Sequence, residues 1–157
     1  MPDINIVFTR VDNRLVHGQV GNVWVTASGA NLIVVVDDEV STDKLQQTLM
    51  KMTADAAGVQ IRFFSVQKTI EIIGRAAPSQ KIFIVAKTPY VIERLVDNGV
   101  PVKSCNIGNM HKTENKHIVH DVHVYMDEND EACIKRLKDK GVNVYIQITP
   151  NDRKYTL

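Results

Sequence analysis

Short runs of β-branched and apolar residues alternate with helix-like patterns along nearly the whole chain, and this alternation constrains the fold more than any other feature. The runs cover residues 4–9, 32–36, 60–64, 81–86, 102–107, 118–125 and 142–148. Strands separated by helices pair in parallel, because each helix crosses the sheet and returns the chain to the same edge. We predict one α/β domain over residues 1–157, an open, mostly parallel twisted sheet of about six or seven strands with helices on both faces.

Apolar residues at helical spacing predict which face of each early helix is buried. For the helix that starts near Gly18, the predicted buried face is Val20, Val23, Trp24 and Ala27. The next helix is predicted to be capped by Ser41 or Thr42, and its predicted face is Leu45, Leu49, Met52 and Ala56. Later helices are predicted to start at the Thr88-Pro89 pair and after Asp127.

Charge and apolar run lengths exclude several classes of partner. The formal net charge of +1 lacks the basic excess of a nucleic-acid binder, so we expect no nucleic acid. The longest apolar run, 32–36, is far shorter than the roughly 20 residues of a spanning helix, so we expect no direct membrane insertion. Cys105 and Cys133 have no metal-motif spacing and indicate a reducing cytoplasm.

Ligands of open parallel sheets bind at the carboxyl ends of the strands, near the point where strand order reverses. The segments predicted at that edge are 10–18, 37–39, Ser65, Gln67, 87–88 and 106–111. Among them His17 lies just before a predicted helix, whose free N–H groups and positive dipole end favour an anion. A neutral imidazole is also a nucleophile. The residues alone therefore indicate an anion or phosphoryl site.

Three further residues of the same loop suit phosphoryl chemistry. Arg10 and Arg14 each carry a guanidinium fork that can bind phosphoryl oxygens in two places. Asp12 can accept a hydrogen bond from one ring nitrogen of His17 and leave the other free to attack, or it can simply hold Arg14. We expect all four residues to form the catalytic group.

The segment Arg10-Val11-Asp12-Asn13-Arg14-Leu15-Val16-His17-Gly18-Gln19-Val20 resembles the signature of enzyme IIB of the mannose/fructose/sorbose family of bacterial sugar phosphotransferase systems. Matching patterns extend over nearly the whole chain, at 30–32, 37–40, 87–89, 99–102 and 106–110. The last of these and the Gln46-Gln47 pair look most like the N-acetylgalactosamine or galactosamine branch. In this family the matching histidine, His17 here, carries the phosphoryl group.

The resemblance also implies the partners of the reaction. The donor would be the phosphohistidine of an enzyme IIA, and the acceptor would be a sugar held by membrane subunits IIC and IID. The chain would then act at the cytoplasmic face of the membrane through those subunits, without a metal or other cofactor, and a homodimer is conceivable. Residues expected to bind the phosphoryl group or a docked partner are Gly18, Gln19, Lys87, Asn106, Gly108 and His111.

Rival interpretations rest on other residues. His111, His117, His120 and His123 suggest a metal site, but in a strand over 118–125 the side chains of His120 and His123 would point to opposite faces. The acidic residues 37–39 and Lys87 suggest a receiver-like signalling domain, although capping roles for these acids are the simpler interpretation. A non-enzymatic module that binds phosphate or a sugar phosphate is the other alternative.

Overall fold

The computed structural model describes residues 4–18 and 20–157. Its strands are β1 (Asn5–Asp12), β2 (Leu32–Val36), β3 (Gln60–Phe64), β4 (Lys81–Ala86), β5 (Ser104–Asn109), β6 (His117–Val119), β7 (Asp121–Met126), β8 (Asn143–Ile146) and β9 (Tyr155–Thr156). Its α-helices are α1 (Val25–Ser28), α2 (Lys44–Ala56), α3 (Val66–Ile72), α4 (Pro89–Asp97) and α5 (Glu128–Asp139). A π-helical turn, Val20–Trp24, precedes α1, and 3₁₀ turns lie at Val40–Thr42 and Ile73–Arg75.

Seven strands form one sheet in the order β3-β2-β4-β1-β5-β8-β9. Every neighbouring pair is parallel except β8 and β9. The chain runs outward to β3, returns beside β1 as β4, and continues on the other side of β1 as β5. Strand order therefore reverses at β1, whose carboxyl end lies where ligands of such sheets bind. The predicted mostly parallel α/β sheet is confirmed.

Two hydrophobic layers cover the two faces of the sheet. One layer joins alternate residues of β2 and β4, such as Val34 and Ile84, to Leu95 of α4 and Leu137 of α5. The other joins the intervening strand residues to Trp24, Val25 and Met50. Side chains of a strand point alternately to opposite faces, so each central strand is buried on both. The prediction of helices on both faces is also confirmed.

Helix starts follow the expected capping chemistry. Pro89 occupies the first turn of α4, and Asp127 forms a reciprocal capping box with Asp130 at the start of α5. The prediction for α2 was wrong by one or two residues: Asp43 accepts from the backbone N–H groups at its start. Ser41 and Thr42 cannot take that role because they belong to the preceding 3₁₀ turn.

The buried face predicted after Gly18 was partly wrong. Val20 and Trp24 are buried, but Val23 is 39% exposed and Ala27 is exposed, while Val25 takes the buried position. A π-helical turn bonds each residue to one five positions away, so its turns are wider than those of an α-helix. This shifts the buried positions to i, i+4 and i+5, which α-helical spacing does not predict.

The face predicted for α2 was wrong. Leu45, Leu49 and Met52 are 71%, 57% and 64% exposed, and the helix buries Met50 and Ala54 instead. This face allows a close approach to the π-helical turn. Thr53 Cγ2 lies 2.7 Å from where a Cβ of Gly21 would stand.

The predicted single strand over 118–125 is a hairpin. β6 and β7 pair antiparallel and form a separate two-stranded sheet. The chain reverses at His120, which has a left-handed φ of 66° and stacks on Tyr155 with ring centroids 3.5 Å apart. The alternation argument used for His120 and His123 therefore does not apply. Within the described ranges, no helix is both long and apolar enough to cross a membrane.

Candidate functional site

Strand β1 delivers the first two side chains of the site. It continues to Asp12, three residues beyond its predicted end at Thr9, and pairs with β4 and β5. Arg10 and Asp12 therefore share one face of the strand, while Val11 points into the opposite hydrophobic layer. Both charged side chains are fully buried. The position of the Asp12 carboxylate is thus fixed because Asp12 belongs to a strand and not to a flexible loop.

A tight turn then brings the histidine back over the end of β1. Leu15 N donates to Asp12 O at 2.9 Å, and Leu15 has a left-handed φ of 58°. Such a conformation is unfavourable for leucine and requires support from the surrounding structure. That support is burial, because the exposed fractions of Leu15 and Val16 are 1% and 6%. Two apolar side chains thereby anchor the turn that precedes His17.

His17 and Asp12 form the central contact. His17 Nε2 lies 2.9 Å from Asp12 Oδ2, and the His17 side chain is 21% exposed. A carboxylate only accepts hydrogen bonds, so Nε2 carries the proton in the neutral ring. Within the described part of the chain, His17 Nδ1 has no hydrogen-bond partner. The contact therefore leaves the Nδ1 lone pair available.

Arg10 departs from the prediction that its guanidinium binds phosphoryl oxygens. Its Nη1 donates to Asn106 Oδ1 at 2.6 Å and to Gln147 O at 3.1 Å, and its Nη2 donates to Ile148 O at 3.2 Å. Nε and Nη2 also contact Asp12 Oδ2, at 3.4 and 3.3 Å. A guanidinium has five N–H donors, and these contacts occupy all of them. Arg10 is therefore a buried support of Asp12.

Asn106 and Gly108 lie against Arg10, and their predicted role in binding the phosphoryl group or a docked partner stays a prediction. Asn106 is fully buried and also donates to Gln147 O at 3.0 Å. Any Cβ at Gly108 would overlap the Arg10 guanidinium, so the missing side chain makes room for that group. Trp24 closes the other side, with its ring centroid 5.1 Å from Arg10 Cζ.

Arg14 is the exposed cation of the site. Its side chain is 46% exposed, and its Nε lies 3.3 Å from Asp12 Oδ1. Its backbone N–H donates to the same oxygen at 3.0 Å. No contact to Nη1 occurs among the described residues. Unlike Arg10, Arg14 keeps donors for an incoming anion.

Burial and hydrogen bonding act in opposite directions on the Asp12 carboxyl. Burial raises the pKa of Asp12. The hydrogen bond from His17, the charge of Arg10 and the Arg14 N–H group together lower it by more, so the pKa lies below its ordinary value of 3.8. Burial lowers the pKa of Arg10, opposed by Asp12. A guanidinium stays charged in proteins, so the buried pair is ionic.

Lys87 lies at the same sheet edge and pairs with two carboxylates. It follows β4, whose Ala86 pairs with Val11, so it lies one strand away from Asp12. Its Nζ lies 3.6 Å from Asp37 Oδ2 and 3.9 Å from Glu39 Oε2. Two more of the predicted edge residues, Gly18 and His111, are exposed. Gln19 lies outside the described residues.

The acidic residues after β2 act as caps. Asp37 Oδ2 accepts from Val40 N at 3.0 Å, and Asp38 Oδ1 accepts from Val66 N at 2.9 Å. Both oxygens bind N–H groups at helical starts, in agreement with the capping interpretation. Nowhere in residues 4–18 and 20–157 do three or more His, Cys, Asp or Glu side chains lie together in a way that could hold a metal ion.

Two residues near the carboxyl end of the chain were missed by the sequence analysis. The carbonyls of Gln147 and Ile148 accept from Arg10, and Ile148 O also accepts from Trp24 Nε1 at 3.0 Å. Backbone acceptors leave no signal in side-chain identity. The one available sign was Trp24, because a buried indole N–H usually finds a partner.

Comparison with known proteins gives the family. Residues 6–157 match the family described as PTS system sorbose subfamily IIB component. The chain belongs to this family. It is 50% identical to the N-acetylgalactosamine-specific phosphotransferase enzyme IIB component 1 of Escherichia coli, over 98% of this chain and 97% of that protein.

Two further comparisons agree with this membership. The crystal structure of the N-acetylgalactosamine-specific IIB component 1 from Escherichia coli superimposes with a TM-score of 0.94, at 50% identity, and covers 98% of this chain and 99% of that chain. The mannose-specific EIIAB component of Escherichia coli is 31% identical over 95% of this chain and 46% of that protein. The resemblance read from the sequence, including the N-acetylgalactosamine branch, is confirmed for this IIB component.

Proposed function

We propose that this IIB component relays a phosphoryl group through His17 from an enzyme IIA to a sugar during uptake. The observation that carries the proposal is the 2.9 Å contact between His17 Nε2 and Asp12 Oδ2, which leaves Nδ1 free. Family membership supports the reaction class, since these proteins are components of a phosphotransferase system. His17 is the residue that we assign to it.

In the first transfer, the Nδ1 lone pair attacks the phosphorus of the donor phosphohistidine in line. A new phosphorus–nitrogen bond forms as the donor's phosphorus–nitrogen bond breaks, and the departing electron pair stays on the donor nitrogen. His17 then carries the phosphoryl group on Nδ1 and a proton on Nε2, which makes its ring cationic. The Asp12 carboxylate lies against that proton and stabilises the charge.

Cations at the sheet edge supply the field for transfer. The transition state is loose and spreads negative charge over the equatorial oxygens. Arg14 has the exposed guanidinium that can bind these oxygens. Lys87 lies one strand away, and its ammonium can reach them only if it leaves Asp37 and Glu39. Gly18 and Gln19 follow His17 directly, and we propose their backbone N–H groups as further donors. The mechanism uses neither nucleotide nor metal.

The second transfer passes the phosphoryl group to a sugar hydroxyl held by membrane subunits IIC and IID. The 50% identical relative named for N-acetylgalactosamine favours an amino sugar of that kind. The relative named EIIAB joins an A and a B component in one name, which supports an enzyme IIA as donor. Lys87 and His111 flank the site where both partners have to approach. We place the reaction at the cytoplasmic face of the membrane, with a homodimer as a further expectation.

Isotope-labelled phosphoryl transfer from enzyme IIA tests the assignment. We expect the wild-type protein to be labelled, the label to be lost in acid and kept in alkali, and His17→Ala to abolish labelling. His117→Ala, which changes an exposed histidine of the β6–β7 hairpin, is the matched control and should keep the label. Labelling of the His17→Ala variant, or a label that survives acid but not base, would refute the relay. A non-enzymatic phosphate-binding module would show no label at all.

The phosphorylated nitrogen provides an independent test. Because Asp12 holds Nε2, we expect the phosphoryl group on Nδ1. Nitrogen-15 NMR of the labelled protein distinguishes the two isomers of phosphohistidine. Detection of the Nε2 isomer would show that the imidazole ring flips before it reacts, and that the contact with Asp12 does not direct the attack.

A further inference from the structure

A cleft of about 340 Å³ opens on the opposite face of the sheet from the π-helical turn that follows His17. Its floor includes Val34 of β2, Ile72 of α3 and Ile82 of β4. Its rim carries three cations, Arg62, Lys68 and Arg75, and none of its lining residues is acidic. The cleft is thus apolar inside and positive at its opening.

The cleft exists because α3 is too short to cover the sheet. The helix ends at Ile72, and a 3₁₀ turn leads to Pro78 and the start of β4. Strand β3 lies at the edge of the sheet and has no outer neighbour to complete the cover. The apolar side chains of β2 and β4 under this gap therefore face a groove.

The three rim cations lack counterions among the residues that the structure describes. Arg62, Lys68 and Arg75 are exposed and form no ion pair with any described residue. Arg62 Nη1 donates only to the neighbouring carbonyl of Ile61, at 2.9 Å. Three like charges around one opening raise the local positive potential and attract an anion. No side chain of the cleft offsets that potential.

The floor selects against sugars. Its buried hydroxyl, on Thr69, donates to Ser65 O at 2.8 Å and is therefore not free to donate to a ligand. A sugar would have to bury hydroxyl groups without partners, which is costly. An alkyl or aryl group loses nothing in the same place and gains from burial. Volumes of this size hold small organic ligands.

We propose that this cleft binds a small amphipathic organic anion, with its carboxylate or phosphate held by Arg62, Lys68 and Arg75 and its apolar part on the sheet. The site is separate from His17, because the two lie on opposite faces of the sheet. Binding here adds a ligand site to the IIB component that the phosphoryl relay does not use. Free acids and phosphates, and the headgroups of anionic lipids, share the recognised charge.

Calorimetric titration of the full chain with hexyl phosphate tests the proposal. We expect saturable binding, no binding of the neutral hexyl glucoside, and a loss of about tenfold or more in affinity for the double variant Arg62→Gln/Arg75→Gln, since each lost contact is charge-assisted. Lys103→Gln/Lys135→Gln removes the same charge from exposed residues outside the cleft and should bind as the wild type does.

Further measurements locate the ligand and its source. Hexyl phosphate should shift the backbone amide NMR signals of Thr69 and Ile72 and leave those around His17 in place. Equal affinity of the two double variants, or equal binding of hexyl phosphate and hexyl glucoside, would overturn the proposal. So would association with phosphatidylglycerol vesicles through Arg62 and Arg75 without any binding of hexyl phosphate, because the cleft would then recognise a membrane surface.

Discussion

At the scale of single residues, the site depends on how one carboxylate divides its two oxygens. Asp12 Oδ1 accepts from the backbone N–H and the Nε of Arg14, and Oδ2 accepts from His17, from Arg10 and, at 3.5 Å, from Arg14 Nη2. The two arginines thus contact one aspartate from opposite sides, Arg10 from the protein interior and Arg14 from solvent. Because Arg10 has no free donor, we expect it to act in the proposed transfer only by orienting Asp12.

Substitution of each arginine by lysine separates these two roles. Arg14→Lys keeps the charge but loses the fork, so we expect slower labelling of His17 by about tenfold or more, with an unfolding free energy within about 0.5 kcal/mol of the wild type. Arg10→Lys leaves Asn106 Oδ1 and Asp12 short of buried donors, and it removes one of the two donors from each of the carbonyls of Gln147 and Ile148. We expect it to lower the unfolding free energy by about 3 kcal/mol or more.

Labelling kinetics and urea unfolding of the two variants check this contrast. An Arg10→Lys variant with the unfolding free energy of the wild type would show that the buried contacts of Arg10 are not needed for folding. Normal labelling by Arg14→Lys would remove the bidentate contact from the transfer step.

Sequence reasoning assigned His17, Asp12 and Arg14 to one loop because their chemistry and spacing suit a phosphoryl site. It misplaced Arg10, since the apolar run seemed to end at Thr9 and a charged residue in a buried strand is rare. Once β1 continues to Asp12, alternation places Arg10 inside the protein. Its partners Gln147 and Ile148 are more than 130 residues away, at separations of 137 and 138 positions. No local pattern indicates such a contact.

At the scale of helices and strands, the bounds of β2, β3 and β4 are those predicted. β2 and β4 are buried on both faces and therefore read as continuous apolar runs, whereas β3 is an edge strand that is only partly buried. The prediction for α2 was wrong because the helix carries two sets of apolar residues at helical spacing, and periodicity alone does not show which set is buried. Thr53, whose Cγ2 lies 2.7 Å from where a Cβ of Gly21 would stand, faces the π-helical turn and is not strongly apolar. Hydrophobicity alone therefore does not identify the buried face.

Two methionines on α2 test which face is buried. Met50 is 7% exposed and Met52 is 64% exposed, so the same substitution has different consequences at the two positions. We expect Met50→Ala to lower the unfolding free energy by about 2 kcal/mol or more, and Met52→Ala to change it by about 0.5 kcal/mol or less. Urea unfolding measures both. Equal losses would mean that the helix lies in another orientation.

At the scale of the whole molecule, the site depends on contacts between β1 and the segment that follows β8. Arg10 of β1 donates to carbonyls in the segment that follows β8, and Trp24 of the π-helical turn donates to the same segment. The site around Asp12 and His17 is thus complete only when the first and last parallel strands are both in place. The position of Asp12 is a property of the entire sheet.

Acid stability reports on charged contacts that exist only in the complete fold, and Asp130 provides the clearest case. Burial raises its pKa, but the Asp127 N–H, Lys116 and Tyr90 lower it more, so the net pKa is below 3.8. A carboxyl whose pKa is lowered by folding stabilises the protein above its unfolded pKa, and this stability is lost as the pH falls through the folded value. We expect Asp130→Asn to lower the unfolding free energy at pH 7 by about 1–3 kcal/mol.

The difference between Asp130→Asn and the wild type should therefore begin to shrink as the pH falls below the unfolded pKa of about 3.8. It should be lost as the pH passes through the lower folded pKa, where the wild-type carboxyl is protonated and loses its ion pair with Lys116. Asp139→Asn changes an exposed residue of the same helix and should follow the wild type at every pH. Urea unfolding between pH 3 and pH 7 measures all three proteins. A difference independent of pH would show that Asp130 acts through packing and not through its charge. In that case acid unfolding would have to begin elsewhere, with the buried pair of Arg10 and Asp12 as the next group to test by the same measurement.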